Sequence, residues 1–215
     1  MRIVAGDLKG RSFVAPVGQD TRPTTDRVRE AVFSTLYSEL GGWEGVRVLD
    51  LFAGSGAFGF EALSRGAERA LGVDSGRAAQ KAIRSNVEKL QLKDRYQVIG
   101  REVAQAFPQI VGAGPFDLIY LDPPYATVSE EVVAVLARLA EAGAISDGAI
   151  VGFEHRRKVS VPWPDGFDSL RNKEYGYTAV SYSIYRGGSG AQSAQAVRSA
   201  APSQDEPPIE EGDCQ

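Results

Sequence analysis

The sequence predicts an α/β protein with a Rossmann-like, mostly parallel sheet of seven strands that has an antiparallel end. Between residues 46 and 153, short apolar runs alternate with segments of helical periodicity, which is the order expected of βαβ units. Residues 167–185 change to a two-residue alternation, which indicates an antiparallel pair. A glycine-rich loop follows the first apolar run, as in sheets that bind a ligand beyond the carboxyl ends of their strands.

Each element follows from the local pattern in chain order. Ile3 and Phe13 lie in β-like segments on either side of Lys9-Gly10-Arg11, which predicts an N-terminal β-hairpin arm. A first helix follows, with Thr24 or Thr25 as its cap. Five strands are then predicted at residues 46–51, 70–73, 96–99, 116–121 and 149–153, with helices at 57–64, 75–90, 102–110 and 128–139.

Composition divides the 215 residues into three parts. The arm and first helix occupy residues 1–42, and residues 43–186 form the predicted catalytic domain. Residues 187–215 are rich in Gly, Ser, Ala, Gln and Pro and end with acidic residues, so we expect a disordered acidic tail. The tail carries a net charge of -4, equal to that of the whole chain, so the body is neutral. Any nucleic-acid-binding surface must therefore be local.

Several classes of protein are excluded by composition. The chain shows neither a signal peptide nor an apolar run of the roughly 20 residues that span a bilayer, so we expect a cytoplasmic protein without membrane association. Cys214 and His155 are the only residues of their types, so neither a disulfide nor a metal site is expected. We expect a monomer.

The glycine loop has the spacing of a cofactor-binding turn. Gly54, Gly56 and Gly59 form a G-x-G-x-x-G pattern between a predicted strand and a predicted helix. Asp74 ends the second strand, where a carboxylate can accept hydrogen bonds from both hydroxyls of a ribose. Asp50 lies just before the glycines, where an acid opposes a pyrophosphate and suits the ammonium group of S-adenosylmethionine. These residues therefore favour S-adenosylmethionine over NAD.

Glu102 follows the third predicted strand. Sites for this methyl donor often place an acid here to bind the adenine amino group, and Glu102 is the candidate. An acid in the first turn of a helix is also stabilised by the helix dipole, and both interpretations stay open.

The candidate catalytic residues follow the fourth strand as Asp122-Pro123-Pro124-Tyr125. The lone pair of an amine on a nucleobase is delocalised into the ring, so the amine is a poor nucleophile. Hydrogen bonds to the Asp122 carboxylate and the Pro123 carbonyl would localise that lone pair and direct it at a sulfonium methyl group. Tyr125 can stack on the base, and the prolines stiffen the loop.

Several alternatives remain at this point. Methylation of cytosine C5 needs a cysteine nucleophile, and Cys214 lies in the predicted tail, so the target is nitrogen. A DNA adenine or cytosine amino-methyltransferase would use the same loop, but such enzymes usually carry a target-recognition domain. Protein-glutamine methyltransferases favour Asn in place of Asp122. From other classes, an NAD-dependent oxidoreductase would use the glycine loop, and a non-catalytic RNA-binding module would use neither motif.

Four segments together resemble the RsmD-type bacterial methyltransferases, and they cover residues 1 to about 186. These are the Arg-Pro-Thr-Thr segment at 22–30, the glycine loop at 50–56, residues 61–67 and the loop at 122–125. The resemblance implies a class I methyltransferase that modifies the N2 amine of a guanine in 16S ribosomal RNA, free or in the small-subunit particle. It also implies cofactor binding by Asp50, Gly54, Gly56 and Asp74 and catalysis by Asp122 and Tyr125. Asp74 stands where Glu is more common, and Glu102 where Asp is usual.

The arm is the predicted RNA-binding surface. Arg2, Lys9, Arg11 and Arg22 concentrate positive charge near one end of a neutral body, with Arg27 and Arg29 beyond them. The alternative is a solvated hairpin whose charges bind nothing specific. The run from His155 to Lys158 either adds to this surface or forms an ordinary exposed turn, and we assign His155 no catalytic role.

Overall fold

Seven strands form one sheet in the computed structural model, which describes residues 1–16, 26–124 and 129–187. The strands are β1 (Arg47–Leu51), β2 (Arg69–Val73), β3 (Tyr96–Ile99), β4 (Phe116–Leu121), β5 (Ile145–Arg156), β6 (Phe167–Tyr175) and β7 (Thr178–Tyr185). The helices are α1 (Asp26–Leu40), α2 (Ala57–Ser64), α3 (Arg77–Leu90), α4 (Val103–Ala113) and α5 (Ser129–Glu141). None of these helices is long and apolar enough to cross a membrane.

The strand order is β3-β2-β1-β4-β5-β7-β6, in which β1 to β5 are parallel and β7 is antiparallel to both of its neighbours. The chain leaves β1 toward β2 and β3, and it returns to the other side of β1 as β4. Such a reversal opens a crevice beyond the carboxyl ends of the two central strands. The predicted fold class, a mostly parallel seven-stranded sheet with an antiparallel end, is confirmed.

Both faces of the sheet are buried, because the strands alternate between two apolar clusters. Val48 of β1 packs with α1, α2 and α3 on one face, whereas Leu49 and Leu51 pack with α4 and α5 on the other. Near-continuous apolar runs such as those of β1 and β4 are what parallel strands covered by helices require. Asp50 interrupts the β1 run and is itself buried, so it is an exception that needs an explanation.

Two elements differ from their predicted form. β5 extends from residue 145 to 156, beyond the predicted 149–153, because its last residues pair with β7 after the apolar run has ended. The predicted N-terminal hairpin has the expected path but forms no regular strands. Its two segments are joined by the antiparallel bridge between Arg2 and Ser12 and by backbone hydrogen bonds such as that from the Ile3 amide to the Arg11 carbonyl at 3.0 Å. The predicted cap at Thr24 or Thr25 and the predicted tail from residue 188 onward lie outside the described residues.

The arm is fixed to the body by a buried carboxylate. Glu61 of α2 is 1% exposed, and its two oxygens accept hydrogen bonds from the amides of Val4 (2.8 Å) and Ala5 (2.9 Å). The guanidinium group of Arg65 donates to the same carboxylate at 2.9 Å. Gly6 approaches the Ser64 carbonyl so closely that a Cβ atom would lie 1.8 Å from its oxygen. The arm is therefore an integral part of the domain surface.

We expect Glu61→Ala to lower the free energy of unfolding by about 3 kcal/mol, because two amides of the arm and Arg65 lose a buried acceptor. Urea unfolding measures this loss, and amide hydrogen exchange at Val4 and Ala5 localises it. The matched control is Glu88→Ala, since Glu88 is 69% exposed and its pair with Lys93 is a surface contact. Equal stability of the two variants would contradict this account of the arm.

Candidate active site

A cleft of about 790 Å³ opens beyond the carboxyl ends of β1, β2 and β4. This volume lies within the range typical of small-molecule sites. Six of the residues predicted from the sequence line it, namely Asp50, Gly54, Asp74, Glu102, Asp122 and Pro123. Met1, Ala15 and Pro16 of the arm also line the cleft, so the arm forms part of its wall.

The loop after β1 adopts backbone conformations that favour glycine. Gly54 and Gly56 have φ angles of 54° and 78°, and Phe52, which is not a glycine, has a φ of 63°. A bulky residue in the left-handed region is strained, and such strain is concentrated at functional sites. Phe52 and Gly54 both line the cleft, so the unusual backbone lies where a ligand would bind.

Asp74 connects the loop after β1 to the loop after β2. One of its carboxylate oxygens accepts a hydrogen bond from the Gly54 amide, and the other accepts one from the Gly76 amide, both at 2.8 Å. Each carboxylate oxygen has a second lone pair. Asp74 is therefore oriented by the backbone and can still accept hydrogen bonds from the hydroxyls of a ribose.

Two glycines of the G-x-G-x-x-G pattern serve packing. A Cβ atom at Gly56 would lie 2.8 Å from the Phe60 ring, and one at Gly59 would lie 2.5 Å from the Tyr96 ring. Gly56 is not among the residues that line the cleft. Contact between Gly56 and a cofactor thus stays a prediction. Gly54 lines the cleft, as a contact with a cofactor requires.

Asp50 is the most deeply buried acid of the cleft, with 2% of its surface exposed. Its carboxylate accepts a hydrogen bond from the Gly59 amide at 3.3 Å. Burial raises the pKa of Asp50 to about 7, the Gly59 amide opposes that rise, and the charge of Asp74 adds to it. A cationic ligand group in the cleft would favour ionisation of Asp50, which suits the ammonium group of a methionine.

Glu102 occupies the N-cap position of α4, yet its side chain makes no capping hydrogen bond. It is exposed and lines the cleft beside Arg101. Stabilisation by the helix dipole needs no capping hydrogen bond, so both interpretations of Glu102 stay open, and its contact with an adenine stays a prediction.

Asp122 and Pro123 follow β4 at the centre of the cleft. The Asp122 amide donates to the Leu51 carbonyl at 3.4 Å, which ties the start of the loop to β1. Asp122 is exposed to the cleft, whereas Pro123 is buried. Reduced hydration by the surrounding protein raises the pKa of Asp122, and the nearby carboxylates of Glu154 and Asp50 raise it further. Tyr125 lies outside the described residues.

Glu154, which the sequence interpretation missed, also lines the cleft. It is 8% exposed, and its Oε2 atom accepts a hydrogen bond from the Tyr120 hydroxyl at 2.9 Å. Burial raises the pKa of Glu154, and the hydrogen bond from Tyr120 opposes that rise. The signal in the sequence was an acid directly after the fifth apolar run, in the position that Asp122 has after the fourth.

The predicted basic surface is only partly as expected. Lys9 and Arg11 are exposed, and the exposed Arg2 side chain pairs with Asp26 at 2.7 Å. Arg22 lies outside the described residues. Arg29 is 6% exposed, donates its guanidinium group to the Arg2 carbonyl at 2.9 Å, and lines the cleft, so its part in RNA binding stays a prediction.

His155 is not part of an exposed basic run. It lies within β5, is buried, and its Nε2 atom is 2.8 Å from the Ser181 hydroxyl. Its Nδ1 atom is 2.8 Å from the Arg156 carbonyl, so Nδ1 is the protonated nitrogen and donates there. The ring therefore has a structural role. Among the described residues, no group of three or more His, Cys, Asp or Glu could hold a metal ion.

Fold and site together define a Rossmann-like methyltransferase. A central parallel sheet places the glycine loop, Asp74 and Asp122 around one cleft, as in the predicted methyltransferase site. Two solved structures that share the fold contain S-adenosylmethionine or S-adenosylhomocysteine. The residues of the cleft fit S-adenosylmethionine, because the buried Asp50 carboxylate suits a cation and opposes a pyrophosphate.

The chain belongs to the family described as Conserved hypothetical protein 95, whose model matches residues 1–185, and which includes the ribosomal RNA small subunit methyltransferases D. "Putative rRNA methyltransferase YlbH" of Bacillus subtilis is 37% identical over 87% of this chain and 100% of that protein. Ribosomal RNA small subunit methyltransferase D of Escherichia coli K12 is 32% identical over 86% of this chain and 89% of that protein. The solved structure of "Putative methyltransferase yhhF" from Escherichia coli superposes with a TM-score of 0.72, at 29% identity, over 87% of this chain and 99% of that one.

Proposed function

We propose that this protein transfers the methyl group of S-adenosylmethionine to the exocyclic N2 amine of a guanine in 16S ribosomal RNA. One observation carries the proposal: Asp122 and Pro123 line the same cleft as Asp50 and Asp74. Groups that can accept hydrogen bonds from an amine thus lie beside the groups suited to S-adenosylmethionine. The names of the relatives, which specify ribosomal RNA and its small subunit, support the choice of substrate.

The residues of the cleft divide into two groups in this proposal. Asp74 accepts hydrogen bonds from the ribose hydroxyls, Asp50 faces the ammonium group, and Glu102 faces the adenine amino group. The bound donor supplies an electrophilic methyl group on a sulfonium. Asp122 and the Pro123 carbonyl accept hydrogen bonds from the amine, which localises its lone pair and stabilises the positive charge that develops on nitrogen. Asp122 then accepts the proton that the amine releases, directly or through a water.

The direct test compares tritium transfer from labelled donor to 30S particles, free 16S RNA and duplex DNA. Digestion of the product to nucleosides and mass spectrometry then identify the modified base. We expect N2-methylguanine in the ribosomal substrates. Label found in DNA alone, or on a base other than guanine, would refute the proposal.

The arm gives a separate prediction about RNA binding. Lys9 and Arg11 are exposed, so the double variant Lys9→Ala/Arg11→Ala should lower RNA affinity and reduce the slope of log K against log salt by about two. Filter binding at several salt concentrations measures the slope. Lys93→Ala is the control. This exposed lysine lines a groove at the amino ends of the parallel strands, on the side of the sheet away from the cleft. An unchanged slope in the double variant would remove the arm from the RNA-binding surface.

A further inference from the structure

We infer that Glu154 accepts a hydrogen bond from the N1–H group of the target base, and that it thereby selects guanine over adenine and cytosine. This inference rests on the proposed function, since it takes transfer to the N2 amine of guanine as given. It assigns to Glu154 a contact with the substrate that neither Asp122 nor Pro123 can make.

The register of the sheet places Glu154 beside Asp122. Leu121 of β4 pairs with Phe153 of β5 in a parallel ladder, so Asp122, directly after β4, is followed in register by Glu154 of β5. Side chains in such positions point to the same face, and the strand backbones are about 4.8 Å apart. Both residues line the cleft, so one planar base can meet both carboxylates.

The Glu154 carboxylate is held in place before any substrate binds. Tyr120, two residues before Asp122 on the same face, donates its hydroxyl to Oε2 and stacks on Phe58 with ring centroids 3.9 Å apart. Gly152 makes room for this ring, because a Cβ atom there would lie 2.9 Å from it. Tyr120 occupies one of about four lone-pair positions of the carboxylate. A carboxylate that is 8% exposed needs further donors to offset its lost hydration.

Guanine can supply a further hydrogen-bond donor to the Glu154 carboxylate. Along its Watson–Crick edge guanine presents three N–H bonds, one on N1 and two on N2. Adenine and cytosine present two amine N–H bonds beside a ring nitrogen that is an acceptor. Asp122 and the Pro123 carbonyl account for the two amine hydrogens, which leaves N1–H for Glu154. In adenine or cytosine the ring lone pair would face this carboxylate, and such mismatches of buried polar groups give strong discrimination.

The test replaces the target guanine in synthetic RNA with 2-aminopurine, which keeps the N2 amine but has an acceptor at N1. We expect wild-type enzyme to prefer guanine by about 100-fold in kcat/KM, since a charged buried group loses its partner. Glu154→Gln should reduce this preference to less than about tenfold, because the amide NH2 can donate to N1 of 2-aminopurine. Glu88→Gln is the control for an exposed glutamate and should keep the full preference.

The affinity of each variant for S-adenosylmethionine, measured by calorimetry, checks that the variant retains its fold and its cofactor site. Tyr120→Phe provides a second variant, and it should lower the preference for guanine because Glu154 loses its fixed orientation. The inference alone would be overturned if Glu154→Gln lowered kcat/KM equally for guanine and for 2-aminopurine while the wild-type enzyme made N2-methylguanine. A wild-type enzyme that makes no N2-methylguanine would overturn the proposed function and the inference with it.

Discussion

Replacing Asp122 with alanine is expected to lower the rate of methyl transfer by about 10²–10³-fold, while donor affinity changes by less than about threefold. The expected loss is that of a preorganised group that stabilises charge only in the transition state. Asp122 is placed for this role because it follows β4 at the centre of the cleft and is exposed to it. Donor affinity should survive, because Asp50 and Asp74 carry the predicted donor contacts.

Single-turnover kinetics with saturating donor separate the chemical step from RNA binding and product release. Asp94→Ala serves as control, since Asp94 is exposed and lies near the amino ends of the parallel strands, away from the cleft. Asp122→Asn should retain more activity than Asp122→Ala, because the amide carbonyl still accepts a hydrogen bond but cannot receive the proton. An alanine variant with an unchanged single-turnover rate would remove Asp122 from the mechanism.

The fold and the position of the cleft could be predicted because local patterns decide them. The apolar run at 116–121 predicts a strand, and the structure has β4 at Phe116–Leu121. An acid after such a run must lie at the carboxyl edge of a parallel sheet, where ligands bind. The order of strands and helices made this edge common to Asp50, Asp74 and Asp122.

The role of Glu154 could not be predicted in the same way, because it depends on the register between two strands. β4 and β5 are shifted by an irregularity between Phe116 and Leu118, and this shift sets which residue of β5 lies beside Asp122. Nothing in either apolar run specifies it. The hydrogen bond from Tyr120 further requires Gly152 opposite the ring, which is a tertiary condition.

Glu61 shows a different limit. A glutamate in a helix is normally exposed, so the usual expectation is a solvated side chain. It is buried here because the arm returns over α2 and presents two amides to the carboxylate. Arg29 is buried for a related reason, since its guanidinium group donates to the Arg2 carbonyl of the arm.

Replacing Asp50 with asparagine is expected to stabilise the protein and to weaken donor binding at the same time. The folded-state pKa of Asp50 is raised from 3.8 to about 7, so the folded state holds a proton that the unfolded state has already released. The contribution of Asp50 to the free energy of unfolding therefore falls as pH rises from about 4 to about 7. Above pH 7 the cost of the ionised carboxylate is complete and corresponds to about 4 kcal/mol.

Asparagine has no charge to bury, and its carbonyl oxygen can still accept the hydrogen bond from Gly59. Urea unfolding should accordingly show the variant to be more stable than wild type at pH 8 and nearly equal to it at pH 4. Glu88→Gln, an exposed acid-to-amide change, should show no such difference between the two pH values.

Donor binding should change in the opposite direction, because ionised Asp50 attracts the ammonium group of the donor. We expect calorimetry to show wild-type affinity rising as pH increases through about 7, as more of the free protein carries the ionised carboxylate. The asparagine variant should bind about 10–100-fold more weakly at pH 8, the cost of a lost charge-assisted contact. A variant that is stabilised yet binds donor as tightly as wild type would show that Asp50 serves the loop and not the ligand.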